Sequence, residues 1–246
     1  MRNFKITIQY EGTRYQGWQK QGSTDNTLQG KFETLLSRLA GETVEIAASG
    51  RTDAGVHAYG QVANFHMDTT MTPGELMEQI NRYLPEDVAV IACSEADGRF
   101  HSRLHAKKKT YCYRVLNSAV PHVFDRKFVW QVPEKLDVEA MRQAASFLTG
   151  THDFKSFTSA KKSKKSTVRT IESIEIARAG DEIRLVFTGD GFLFHMVRIL
   201  TGTLLEVGLG KRNSADMKKI LAACDRQQAG ELAPARGLAL MEVFYE

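Results

Sequence analysis

The sequence predicts an α+β chain made of two related halves. Three observations predict this. Short alternating runs such as Phe4-Ile6-Ile8-Tyr10 have the period of half-buried strands. Apolar residues at helical spacing, such as Leu28, Phe32, Leu35, Leu36 and Leu39, mark an amphipathic helix. Both kinds of segment then alternate through each half in similar order, without an exact repeat. The 246 residues are 42% hydrophobic and 25% charged, which suffices to bury a sizeable core in one large or two fused domains.

In chain order, Lys5, Thr7 and Gln9 interleave the first apolar run and place its other face toward solvent. Residues 12–23 are Gly-rich and polar and read as a loop. The helix that follows stops at Gly41. Residues 43–48 and 61–66 read as strands. Thr72-Pro73-Gly74-Glu75 is a helix start: Thr72 can cap, Pro73 suits the first helical position, and Glu75 can close a capping box. Leu76, Ile80 and Leu84 form that helix's apolar face, and 88–93 is the next strand. In the second half Tyr111, Tyr113 and Val115 alternate, and 127–132 reads as a strand. Residues 138–148 read as a helix stopped by Gly150, and 168–177 and 183–188 as strands joined at Gly180-Asp181. Residues 192–207 and 214–223 read as helices, and 240–245 as a closing strand. Apolar content drops near 103–107, which sets the expected halves at 1–104 and 105–246.

Net charge is only +4, but its distribution is informative. No acid lies between Asp97 and Asp125, a span holding Arg99, Arg103, Lys107, Lys108, Lys109 and Arg114. None lies between Asp153 and Glu172, where Lys155, Lys161, Lys162, Lys164, Lys165 and Arg169 stand. Two acid-free basic blocks suit a polyanion; the alternative is a pair of solvated loops. The lysines of loop 158–167 repel one another, so mobility without a ligand is expected there. Cys93, Cys112 and Cys224 form no CxxC, which argues against disulfides and a Cys-based zinc site. There is no bilayer-length apolar run and no apolar leader, so a soluble cytoplasmic protein with no membrane partner is expected.

Three places could carry chemistry. Gly50-Arg51-Thr52-Asp53-Ala54-Gly55 follows a strand and sets a short carboxylate and a guanidinium two residues apart between glycines that permit close approach. A turn aspartate capping its own backbone has the same pattern. Tyr111 and Tyr113 share one strand face beside basic residues, as aromatics that stack unpaired bases do, and as core tyrosines also do. Arg198 is the one charge in an apolar helix; it needs an anion from elsewhere, for which Asp53 is a candidate, unless its stem reaches solvent. The seven histidines show no HExxH or His/Cys cluster, and there is no GxGxxG, Walker loop or GxSxG, so neither metal nor cofactor is expected.

Taken together, these residues resemble a known family. Gly50 to Ala58, read as Gly-Arg-Thr-Asp-Ala-Gly-Val-His-Ala, is similar to the signature of tRNA pseudouridine synthase A. So are Tyr10-Glu11-Gly12-Thr13 with Gly17-Trp18-Gln19, Phe100-His101-Ser102-Arg103, Lys109 to Tyr113, Phe194 to Arg198 with Gly202 to Gly208, and Ala233-Pro234 with Gly237-Leu238. Leu104 and Ala239 depart from the pattern, where an aromatic and a bulkier residue are usual. The resemblance implies the pseudouridine synthase fold, two ferredoxin-like (RRM-like) halves joined into one large mixed antiparallel sheet with flanking helices. It implies a homodimer that holds the anticodon stem-loop of tRNA and isomerises uridine at positions 38, 39 or 40 without a cofactor. It further implies Asp53 as the catalytic carboxylate and Tyr111, Arg51 and Arg198 as substrate-binding residues. Phe100, Arg103, Lys161, Lys162, Lys164 and Lys165 are the expected tRNA contacts.

Two other functions share some of these features. A non-catalytic RNA-binding module would use the basic blocks and Tyr111 but has no need of an oriented carboxylate. A nucleosidase would use Asp53 for the same first bond and release free uracil.

Overall fold

The computed structural model describes residues 1–160 and 166–246. The chain divides into two compact units, Met1–Lys107 with Ala239–Glu246, and Lys108–Leu238.

The first unit is a sheet with two helices. Its strands are β1 (Arg2–Tyr10), β2 (Ile46–Ala48), β3 (His57–Met67) and β4 (Val88–Ala96), with β10 (Leu238–Phe244) returning from the chain's end. Their order is β4-β1-β3-β10, and β2 pairs with β3. β1 runs antiparallel to both neighbours, whereas β10 lies parallel to β3, with Ala239 opposite His57. The alternation of β1 buries Phe4, Ile6, Ile8 and Tyr10, and Phe4 stacks on Phe65 of β3 at 5.8 Å. Helix α1 (Leu28–Ala40) starts at Thr27, whose side chain accepts from Gly30 N, and ends at Gly41 in the left-handed conformation. Its Phe32 stacks on the buried Trp18 at 6.1 Å. Helix α2 (Pro73–Tyr83) carries the capping box anticipated for Thr72 and Glu75. Asn81 then fastens α2 to β4, accepting from Val90 N and donating to Val90 O, both at 2.8 Å. The helix stops one residue short of Leu84, because the following Pro85 disfavours helical geometry there. The strand expected over 43–48 is confined to Ile46–Ala48, and 61–66 is the inner part of a longer strand.

The second unit repeats this grammar. β5 (Lys108–Leu116), β7 (Gly150–Asp153), β8 (Val168–Ala179) and β9 (Glu182–Gly189) have the order β5-β9-β8-β7, all antiparallel, and β6 (Trp130–Gln131) runs parallel to β5. Helix α3 (Val138–Ser146), capped by Asp137, packs against β8 and against α4 (Met196–Gly208); α5 (Asp216–Ala223) follows. Three expectations are corrected. Of residues 127–132 only Trp130 and Gln131 pair as a strand, because Lys127 and Phe128 belong to the preceding turn, with Phe128 N bonded back to Asp125 O. The helix expected from 192 begins at Met196, because His195 holds φ = 64° and a left-handed residue cannot continue a right-handed helix. The helix expected over 138–148 ends at Ser146, and Gly150, at φ = 97°, opens β7, whose polar sequence carries no strand period. No helix among the described residues is long and apolar enough to cross a membrane.

Candidate active site

In the first unit the chain leaves β2 and turns through Ser49 to Val56 before β3 begins. A buried polar network fixes both sides of this turn. Ser49 Oγ donates to Gln61 Oε1 at 2.7 Å. Gln61 Nε2 donates to Gly50 O at 2.9 Å and approaches the Tyr10 hydroxyl at 3.4 Å. The Tyr10 hydroxyl shares a 2.8 Å hydrogen bond with Thr52 Oγ1. Burial pushes the Tyr10 hydroxyl up to about 12 against the downward pull of Thr52 and Gln61, so it stays protonated. Asp53 O accepts from Val56 N at 3.1 Å, closing the turn. Ser49, Thr52 and Gln61 are buried, Asp53 is half-buried and Arg51 is exposed.

The loop after β1 clamps the turn from its other side. Trp18 N donates to Thr52 O at 3.0 Å and Gly55 N to Tyr15 O at 3.3 Å. Gly17 lies at φ = 86°, and a Cβ there would stand 2.8 Å from Thr52 O and 3.1 Å from Asp53 C. A Cβ on Gly12 would come within 1.9 Å of Val56 O, and Gly12 N donates to the buried His57 Nδ1 at 3.0 Å. Glycine at both places is therefore a requirement of backbone contact. The arrangement holds a carboxylate at a rigid loop tip, able to act as nucleophile or base. The sequence reading gives neither Tyr10 nor Gln61 a role beside Asp53. The available signal was Gln61 sharing its strand face with the apolar Ala63 and Phe65.

Phe100 and Arg103 lie elsewhere in this unit. The Phe100 carbonyl accepts from Asn3 Nδ2 at 3.0 Å and Asn64 Nδ2 at 3.2 Å. Its ring packs against Tyr245 and His105 at 5.1 and 5.9 Å, and the Lys5 ammonium lies 5.4 Å from its centre. Arg103 is exposed, as is Leu104.

The second unit separates the two tyrosines of β5. Tyr113 is core: it is fully buried, edge-on to Trp130 at 6.3 Å, and donates to Pro234 O at 2.7 Å. Burial raises its hydroxyl far above the ordinary tyrosine value. Tyr111 is half-buried and meets Phe192 edge-on at 5.2 Å. Arg198, on the first turn of α4, is half-buried; its Nε donates to Ala233 O at 2.7 Å while Ala233 N donates to its carbonyl at 3.3 Å. Lys161, Lys162, Lys164 and Lys165 lie outside the described residues. Among the described residues no three His, Cys, Asp or Glu side chains converge in a way that could hold a metal.

Residues 6–104 and 144–246 match the family model described as tRNA pseudouridine synthase. A tRNA pseudouridine synthase A of Bacillus sp. (strain KSM-64) is 48% identical over 245 residues, covering 100% of both chains. A tRNA pseudouridine synthase A 2 of Bacillus cereus (strain ZK / E33L) is 43% identical over the same length and the same coverage. One solved structure, a Cbf5-Nop10-Gar1 complex, matches at 13% identity and a TM-score of 0.36, over 82% of this chain and 45% of that one, a likeness too slight to carry an argument.

Proposed function

The chain belongs to the tRNA pseudouridine synthase A family, an isomerase acting on tRNA, and on that premise we propose that it converts uridine at positions 38, 39 and 40 of the anticodon stem-loop with Asp53 as its catalytic carboxylate. The observation that carries this reading is the network around Asp53. Tyr10, Thr52 and Gln61 are buried, and the Tyr10 hydroxyl bonds both of the others, beside one carboxylate that is only half-buried. A buried polar network of this kind is costly unless it is fully satisfied, and here it serves to aim a neighbouring side chain.

The chemistry needs such a group. The N1–C1′ bond breaks, the uracil turns, C5 joins C1′, the C5 proton leaves and N1 gains one. Atoms balance without a cofactor. Asp53 either attacks the sugar or takes a proton from it, and both steps require an ionised, positioned carboxylate. Tyr111 stacks on the uracil and helps remove the C5 proton. Arg198 supplies a positive charge that holds the bound substrate. Arg51 holds the phosphate of the extruded nucleotide, an extrusion that costs only a few kcal/mol in a loop. Arg103 with Lys161, Lys162, Lys164 and Lys165 tracks the RNA backbone, and Phe100 contacts the tRNA beside them. The enzyme acts in the cytoplasm as a homodimer.

The test is to incubate the protein with tRNA and analyse the nucleosides. The carbon-linked isomer mapped to positions 38 to 40 is the expected result. Free uracil, or isomer only outside the anticodon stem-loop, would overturn the assignment.

A further inference from the structure

We propose that residues 190–195 form a second base-binding element, in which the ring of Phe194, backed by His195, stacks on a nucleobase adjacent to the target uridine. The loop joins β9 to α4, so it runs directly into the turn that carries Arg198. Phe194 is 54% exposed, although the helix that follows it is almost wholly buried. Its ring lies on the His195 ring at 3.7 Å between centroids and 28° between planes. Its backbone is held as well: the Phe194 carbonyl accepts from Thr158 Oγ1 at 3.0 Å and from Ser159 N at 3.3 Å.

The shape of the loop argues for use of that ring. His195 sits at φ = 64°, a conformation glycine adopts without steric cost and histidine does not. Strain of this sort persists where surrounding structure enforces it, and it gathers at ligand sites. The same short loop sends Phe192 edge-on against Tyr111. The loop thus contributes to two aromatic pairs: Phe192 with Tyr111 of β5, and the exposed ring of Phe194 with His195. Aromatic faces stack on any base, which suits a neighbour whose identity changes from one tRNA to another. The inference rests on the reading of tRNA as substrate and of Tyr111 as the uracil-stacking residue.

The experiment uses the full-length enzyme and a tRNA whose converted uridine has been mapped with the wild type. Phe194→Ala and Phe194→Leu are each expected to raise KM about tenfold, more than they lower kcat, and Phe194→Trp to restore it. An abasic nucleotide on the stacked side of the target should cost the wild type a similar factor and cost Phe194→Ala nothing further. Multiplying effects would overturn the proposal, since a ring that merely supports the fold cannot sense the missing base. So would an unchanged KM, or a change in oligomeric mass with KM following protein concentration, which would make Phe194 a protein contact. The mapped position reports separately on the anticodon assignment, because the coupling is measured at whichever uridine is converted.

Discussion

The hydroxyl of Tyr10 lies 2.8 Å from that of Thr52, so the end of the first strand holds the residue directly before Asp53. Removing it in Tyr10→Phe leaves Thr52 Oγ1 and Gln61 Nε2 each short of a buried partner. A loss of about 1–3 kcal/mol in urea unfolding is expected. In kinetics with tRNA, a positioning role for this buried hydroxyl predicts that kcat falls more than KM rises. An unchanged kcat in a destabilised variant would reduce the network to structural support.

Asp53→Asn keeps the shape of the loop and removes the charge. Pseudouridine formation is expected to drop by about 10⁴-fold or more, the scale seen when one member of a catalytic unit is lost. Binding of tRNA, followed by filter retention, should stay within a fewfold of wild type. Normal turnover would remove Asp53 from the mechanism.

Gly17→Ala tests the clamp on the Asp53 turn. A Cβ there sits 2.8 Å from Thr52 O on a backbone at φ = 86°. Strain of about 1–3 kcal/mol follows, and relief must come by moving the turn. Activity should therefore fall further than the loss of stability, compared at a temperature where both proteins are folded. Full activity would show that the clamp is not needed.

The four lysines of residues 161–165 are proposed phosphate contacts. Changing Lys161, Lys162, Lys164 and Lys165 together to Ala should weaken tRNA binding and lower the slope of log K against log salt. The expected reduction is roughly 0.7–0.9 for each phosphate that is no longer neutralised. Titrations at several salt concentrations measure it, and an unaltered slope would make these lysines bystanders.

Acid stability should depend on Glu182. Arg114 donates to both its oxygens, at 3.0 and 2.8 Å, and Arg184 adds a third bond, which pulls its carboxyl from 4.5 down to about 2. A carboxyl lowered in the folded state stabilises fully above its unfolded value, and that share is lost as pH falls from about 4.5 toward 2. The pair lies near the surface, so Glu182→Gln should cost at most about 1 kcal/mol at neutral pH. The variant's unfolding midpoint should also decline less steeply across that window. A slope equal to wild type would place the acid sensitivity elsewhere.

Much of this was legible in the sequence because the signals involved are local. The capping box at Thr72 and Glu75, the stop at Gly41 and the alternation of β1 depend on residues within one turn or one pleat of each other. The Asp53 turn could likewise be located from its own glycines and the strand before it. Most element types, the α+β class and the place of the candidate carboxylate could therefore be read without the fold, β7 and the loop before α4 being exceptions. Which polar residues face inward depends on segments far apart in the chain. Tyr10 and Gln61 are 51 positions apart, Ser49 meets a strand beyond the turn, and Tyr113 rather than Tyr111 enters the core because Trp130 and Pro234 close over it. The physical reason is that a buried hydroxyl or amide is stable only where distant segments bring its partners. Periodicity reports the face a residue is on and says nothing of what that face will meet.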